Sequence, residues 1–126
     1  MRLNLRTFCI LTALVISVFM VIHWINLAKR KSAIEKIELA LHEIKKIIPL
    51  QSKISFLTNL KESSPMTELY FQTEFVMCPV VISQKLDFDT VLLIEMKDKA
   101  PMEIEKMDTI LIADKYDFHI RLLRKR

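Results

Sequence analysis

Residues Phe8 to Ala28, FCILTALVISVFMVIHWINLA, hold no Asp, Glu, Lys or Arg, and basic residues stand on both sides of them, Arg2 and Arg6 before and Lys29-Arg30-Lys31 after. As an α-helix this run is about 31 Å long, which matches the hydrocarbon thickness of a bilayer. The run exceeds the 7–15 residues usual for the apolar part of a secretory signal. No small-x-small cleavage motif closes it, since His-Trp-Ile-Asn-Leu-Ala passes directly into Lys-Arg-Lys. The expectation is an uncleaved, single-pass transmembrane anchor with the lipid bilayer as its first partner, and with Trp24 at the interfacial depth that indole rings prefer. His23, close to the same depth, is read as an interfacial side chain rather than a proton relay.

The 98 residues after the anchor suit one small domain. The formal charge of +4 resides at the ends. Between Ser32 and Ile120, ten lysines face all fifteen acids, a net of −5. Basic termini beside an apolar span serve topology or anionic headgroups, so nucleic acid is not an expected partner. Glycine is absent, which excludes Walker-type phosphate loops and the G-x-G-x-x-G dinucleotide turn, because both need glycine for the backbone to approach phosphate.

Four segments follow from the patterning: a basic tail over 1–7, a transmembrane helix over 8–28, an amphipathic linker helix over 29–49 and a small α/β domain over 50–126. In the linker, Ile34, Ile37, Leu41, Ile44 and Ile48 recur at intervals of 3, 4, 3 and 4 residues, one apolar stripe of a helix that Pro49 closes. The stripe packs either on its own domain or, as a candidate partner-facing seam, on a helix of another protein. Two heptads are short for a coiled coil.

Downstream, Ile54–Asn59 reads as a strand. Ser64 and Pro65 read as cap and first residue of a helix. That helix carries Met66, Leu69, Tyr70, Thr73, Val76 and Met77 on one face, widened by Phe71, Phe75 and Cys78, and it is expected to be largely buried. Pro79 ends it, and Val80–Ile82 is the next strand. Thr90–Met96 is a buried strand with a continuous apolar run. A helical turn or two is expected over Pro101–Asp108, then strands at Thr109–Ala113 and Phe118–Leu123 joined by a turn at Asp114–Asp117. The predicted fold class is α/β, with α+β as the alternative: a mixed four- to five-stranded sheet covered on one face by the main helix, with the linker helix covering part of the other.

No catalytic, cofactor or metal site is predicted. His23, His42 and His119 fall in the anchor, the linker and the last strand, and no His-x-x-x-His or Cys-x-x-Cys spacing occurs. Cys9 and Cys78 lie in different segments, and Cys78 is read as a buried small hydrophobe. Asp87 with Asp89 and Asp114 with Asp117 are read as turn acids bonding nearby backbone, and Ser63 and Ser64 have no neighbouring base.

Three stretches, Ile47-Ile48-Pro49 leading into Lys53–Phe56, Leu69–Phe75 closing on Cys78-Pro79-Val80-Val81, and Asp108–Ile112, resemble the extracytoplasmic segment that follows the membrane helices of bacterial mannosyltransferase-type glycosyltransferases. The resemblance covers about sixty residues and none of that family's catalytic membrane loops. It therefore implies a related small fold on the outer side of a membrane and no transferase activity. The charge flanks point the other way, with more Lys and Arg after the anchor than before it. The expectation is an extracytoplasmic domain. The functional expectation is an anchored accessory or protein-interaction protein of the cell envelope with a membrane protein partner. The alternatives are an anchored small enzyme or ligand-binding domain linked to surface glycan synthesis, and a bitopic coiled-coil partner of a division-type complex.

Overall fold

The structure is a computed structural model that describes residues 4–126. Arg2 and most of the expected basic tail before Leu5 lie outside the described residues, as does the side chain of Lys31. The chain divides into two units, Met1–Ala33 and Ile34–Arg126. Helix α1 runs Leu5–Ile47 and contributes to both. The expected anchor and linker helices thus fall within one helix, consistent with the lack of any Pro or Gly between them.

In the first unit, α1 is long and apolar enough to cross a membrane. Its apolar side chains are exposed all round, from Phe8 to Leu27.

The second unit has the order α1, β1 (Lys53–Thr58), α2 (Ser63–Met77), β2 (Val81–Ser83), β3 (Thr90–Met96), β4 (Met107–Lys115) and β5 (Phe118–Lys125). The strands form one mixed sheet in the order β2-β1-β3-β5-β4, with β1 parallel to β2 and β3, and β5 antiparallel to β3 and β4. This is the expected α/β class. Ser55 pairs with Ser83 on one side and Val91 on the other, so residues 84–89 must pass across β1 to reach β3. The Phe88 N–H donates to Ser55 Oγ at 3.1 Å and secures that crossing.

One face of the sheet, with Ile54, Phe56, Leu92, Ile94, Ile120 and Leu122, packs against both helices. The end of α1 supplies Ile37, Ala40, Leu41 and Ile44, the residue just after it supplies Ile48, and α2 supplies Leu69, Val76 and Met77, all buried in the same cluster. Each fully buried aliphatic side chain contributes about 1.5–3 kcal/mol. Lys45 Nζ donates to Val76 O at 2.7 Å, which places a cation on the last turn of α2, where carbonyls lack partners.

Two expectations are corrected here. The linker stripe does not cover the opposite face of the sheet; it shares the α2 face. Ile37, Leu41, Ile44 and Ile48 are buried there, and Ile34 is half-buried and packs against them, so the stripe belongs to its own domain's core and is not a seam open to a partner, and the coiled-coil alternative loses its basis. The opposite face is covered instead by the irregular segment between β3 and β4, whose Met102 and Ile104, with Met107 and Leu57, pack on Val91, Leu93 and Leu123. No helical turn forms over Pro101–Asp108. Two further local expectations change: the N-cap of α2 is Glu62, without a side-chain cap bond, and Pro65 is the third helical residue, where no intrahelical N–H is needed.

A chain without glycine must still turn. Gln51, Lys106 and Tyr116 take φ of 64°, 63° and 54°, a region that costs a residue with a Cβ about 1–2 kcal/mol. Because glycine gives back about 0.5–1 kcal/mol in backbone entropy, Lys106→Gly is expected to stabilise the domain by about 0.5 kcal/mol net. An unchanged or lower urea midpoint would contradict this.

Candidate functional site

Three places in the second unit gather polar or unpartnered side chains. The first is a cleft of about 470 Å³ lined by Asn59, Leu60, Lys61, Glu62, Pro65, Lys99 and Ala100. It lies beyond the carboxyl end of β1, the position where ligands enter open parallel sheets. Asn59 is buried, and its amide is already committed: Nδ2 donates to Met96 O and to Ala100 O, both at 3.1 Å, and Oδ1 accepts from the Met96 N–H at 2.9 Å. This residue shapes the turn after β3, and the titratable groups left on the cleft wall are Lys61, Glu62 and Lys99. With one carboxylate and two lysines the wall offers charge for binding but no pair arranged for proton transfer.

The second place is an ion pair under the covering segment. Glu95, 3% exposed, accepts from Arg121 Nη2 at 2.9 Å and from the Met102 N–H at 2.6 Å. Arg121 Nη2 also donates to Met102 O at 3.1 Å, and Arg121 Nε is buried without a partner among the described residues. The pair faces neighbouring strands and fastens residue 102 to the sheet. Its geometry is structural, with both oxygens of Glu95 engaged. Periodicity does not mark the pair, since Glu95 ends an apolar run and Arg121 sits in an alternating strand; the available signal is a lone acid in a strand that otherwise reads as buried.

The third place is the outward side of α2. Phe71 and Phe75 are 59% and 73% exposed, and Cys78 is exposed as well. This corrects the expectation of a largely buried helix and a buried Cys78. The face toward the sheet is Leu69, Thr73, Val76 and Met77. Tyr70 closes one flank, its ring 5.6 Å from that of Phe56 and its hydroxyl donating to Ile82 O at 2.9 Å. Burial, and then the nearby charge of Glu74, push the Tyr70 hydroxyl above its usual pKa.

The other predicted residues stay apart. His23 and His42 are exposed on α1, and Asp87 and Asp89 lie in the crossing before β3. Asp114 is in strand β4 rather than in the turn, where it bonds Lys97 and stands 3.7 Å from His119 Nδ1, while Asp117 remains in the turn. Among the described residues no group of three or more His, Cys, Asp or Glu is placed to hold a metal ion.

The hydrogen bond from Lys97 is the main cause that holds the Asp114 carboxyl below its usual pKa, with the Lys97 and His119 charges adding to it against desolvation. A depressed folded pKa contributes stability above the unfolded value, and that contribution is lost as pH falls through the folded one. An NMR titration is expected to place the Asp114 midpoint below the usual aspartate range, and Lys97→Ala is expected to raise it. A midpoint unmoved by Lys97→Ala would contradict the assignment.

No protein-family model and no curated protein matches the chain. Among solved structures, a protein from Haemophilus influenzae described as a methylase aligns at 15% identity and a TM-score of 0.30, over 62% of this chain and 47% of that one. The chain spans about half the length of that neighbour, and the similarity is too low to carry fold or chemistry across. The class defined by the elements themselves is a small mixed α/β domain that follows a long apolar helix.

Proposed function

We propose that the chain is a single-pass, membrane-anchored accessory protein of the cell envelope, whose α/β domain acts by contacting another membrane protein and not by catalysis. The observation that carries the anchor is the exposure of α1: Phe8, Leu11, Val15, Ile16, Met20, Val21, Trp24 and Ile25 are all at least half exposed, on every side of the helix. A helix apolar all round requires an apolar medium, a protein core or lipid, and this one has no core around it within its unit. The two hydroxyls within its apolar stretch are satisfied internally, as lipid demands: Thr12 Oγ1 donates to Phe8 O and Ser17 Oγ to Ala13 O, both at 2.9 Å.

Alkaline carbonate extraction tests the anchor. The chain is expected to stay with the membrane pellet and to leave it in detergent. In the Val15→Asp, Val18→Asp variant, each acid costs about 2.5–3.5 kcal/mol at the helix centre, and the protein is expected in the supernatant. A wild-type chain released by carbonate would overturn the anchor.

The interaction reading draws support from the committed state of Glu95 and Asn59 and from the unpartnered face of α2. Purification in mild detergent is expected to recover a membrane protein in stoichiometric amount. Recovery as a lone stable monomer would overturn that reading. The proposed side is extracytoplasmic, on the strength of the glycosyltransferase-like segments. A phosphatase fused after Arg126 is expected to be active, and an inactive but intact fusion would place the domain inside.

A further inference from the structure

We infer that the outward face of α2 is a docking surface for a protein segment that presents apolar side chains flanked by lysine or arginine. The inference rests on the interaction reading above and names the surface and the chemistry of the partner. At about 100° per residue, Cys78, Phe71 and Phe75 fall within an arc of about 60° on the side of α2 away from the core. Glu74 lies about 60° from Phe71 on one side and Glu68 about 60° on the other. The helix contains no Lys, Arg or His. Neither carboxylate has a cationic partner among the described residues; Glu68 accepts only from Gln72 Nε2, at 3.2 Å.

Two phenyl rings left in water on one helix ridge cost apolar burial that a neighbour would recover. What that neighbour carries follows from the charges. Two acids bracketing the ridge favour a basic amphipathic segment laid along it, with its apolar side chains on Phe71 and Phe75 and its cations on Glu68 and Glu74. An anionic bilayer surface would be repelled by the same carboxylates. A second copy docked face to face would bring four of them around one contact.

The test uses the full chain in nanodiscs of zwitterionic lipid, with Cys9→Ser so that Cys78, on the ridge itself, carries the single environment-sensitive fluorophore. The probes are two synthetic helical peptides with the same leucine face, one flanked by lysines and the other by glutamates. The lysine peptide is expected to shift the Cys78 probe to the blue at a concentration about ten-fold lower than the glutamate peptide. E68K/E74K is expected to reverse that order, whereas E35K/E38K, on the exposed side of α1, is expected to leave it intact. F71S/F75S is expected to weaken both peptides about ten-fold and to lower the melting temperature only slightly, since neither ring is in the core and Phe71 meets its own domain edge-on at Tyr70, 5.5 Å between ring centroids.

Equal affinity for the two peptides, or a preference that survives E68K/E74K, overturns the proposal. A blue shift that requires anionic lipid and no peptide assigns the face to the membrane and also overturns it. So does a shift that grows with protein concentration and disappears in F71S/F75S, which assigns it to a second copy. The anchor is judged separately by carbonate extraction, and the general interaction reading by what co-purifies with the wild type. A partner retained by F71S/F75S would leave that reading standing while removing this surface from it.

Discussion

Truncation of Leu41 to alanine is expected to destabilise the domain by about 2–5 kcal/mol, among the largest effects available to one substitution here. The side chain is 0% exposed and lies in the cluster formed by α1, α2 and the sheet, so its loss leaves a cavity that the surrounding strands fill only in part. For a domain of this size each kcal/mol moves the melting temperature by about 4–8 °C, and a total stability of about 5–15 kcal/mol leaves little reserve. Leu39, two residues away on the same helix, is 51% exposed, and Leu39→Ala is expected to change stability by no more than about 0.5 kcal/mol. Thermal denaturation of the full chain in mild detergent separates the two. If both variants melt with the wild type while recovery of a partner falls only in Leu41→Ala, the stripe faces a partner after all and the burial described above is wrong.

Arg121→Met is expected to cost about 3–5 kcal/mol, because it strands the Glu95 carboxylate in a buried place with the Met102 N–H as its remaining donor. Glu95→Gln is expected to cost less, since an amide oxygen still accepts from that N–H and carries no charge to desolvate. Replacing the pair together, Glu95→Leu with Arg121→Met, is expected to recover most of the loss, limited by about 1–3 kcal/mol for the Met102 N–H left without an acceptor. The measurements are urea midpoints together with hydrogen exchange at Met102, whose amide should lose protection in both Glu95→Leu variants, single and double. A double variant as unstable as Arg121→Met would mean that the ion pair holds the covering segment in a way apolar packing cannot replace.

These two sites differ in how far they could be read beforehand. The stripe from Ile34 to Ile48 announces a helix with one apolar side, because a 3-4-3-4 spacing leaves no other regular solution. What it packs against is set by residues far along the chain, Ile94, Ile120 and Leu122 among them. In α2 the ambiguity is greater. Leu69, Tyr70, Phe71, Phe75, Val76, Met77 and Cys78 spread over more than half the helix circumference, so periodicity does not say which part meets the sheet and does not separate the exposed Phe71, Phe75 and Cys78 from the core. The segment 97–106 holds helix-compatible residues but no pattern, and it is fastened by Glu95 at its edge and by two polar groups from other strands and loops, those of Asn59 and Arg121.

Local chemistry alone determined the apolar helix, the succession of helix and strands, and the exclusion of glycine-dependent phosphate loops, since each of these depends on neighbours within a few residues. Only the tertiary structure decided the strand order β2-β1-β3-β5-β4, the common face shared by α1 and α2, the buried Glu95–Arg121 pair and the acid-flanked ridge of Phe71 and Phe75. The reason is physical. Which of several apolar surfaces is buried depends on the total area removed from water by all elements together, and that competition is settled between residues far apart in the chain, such as Leu41 and Ile120, beyond the reach of any local pattern.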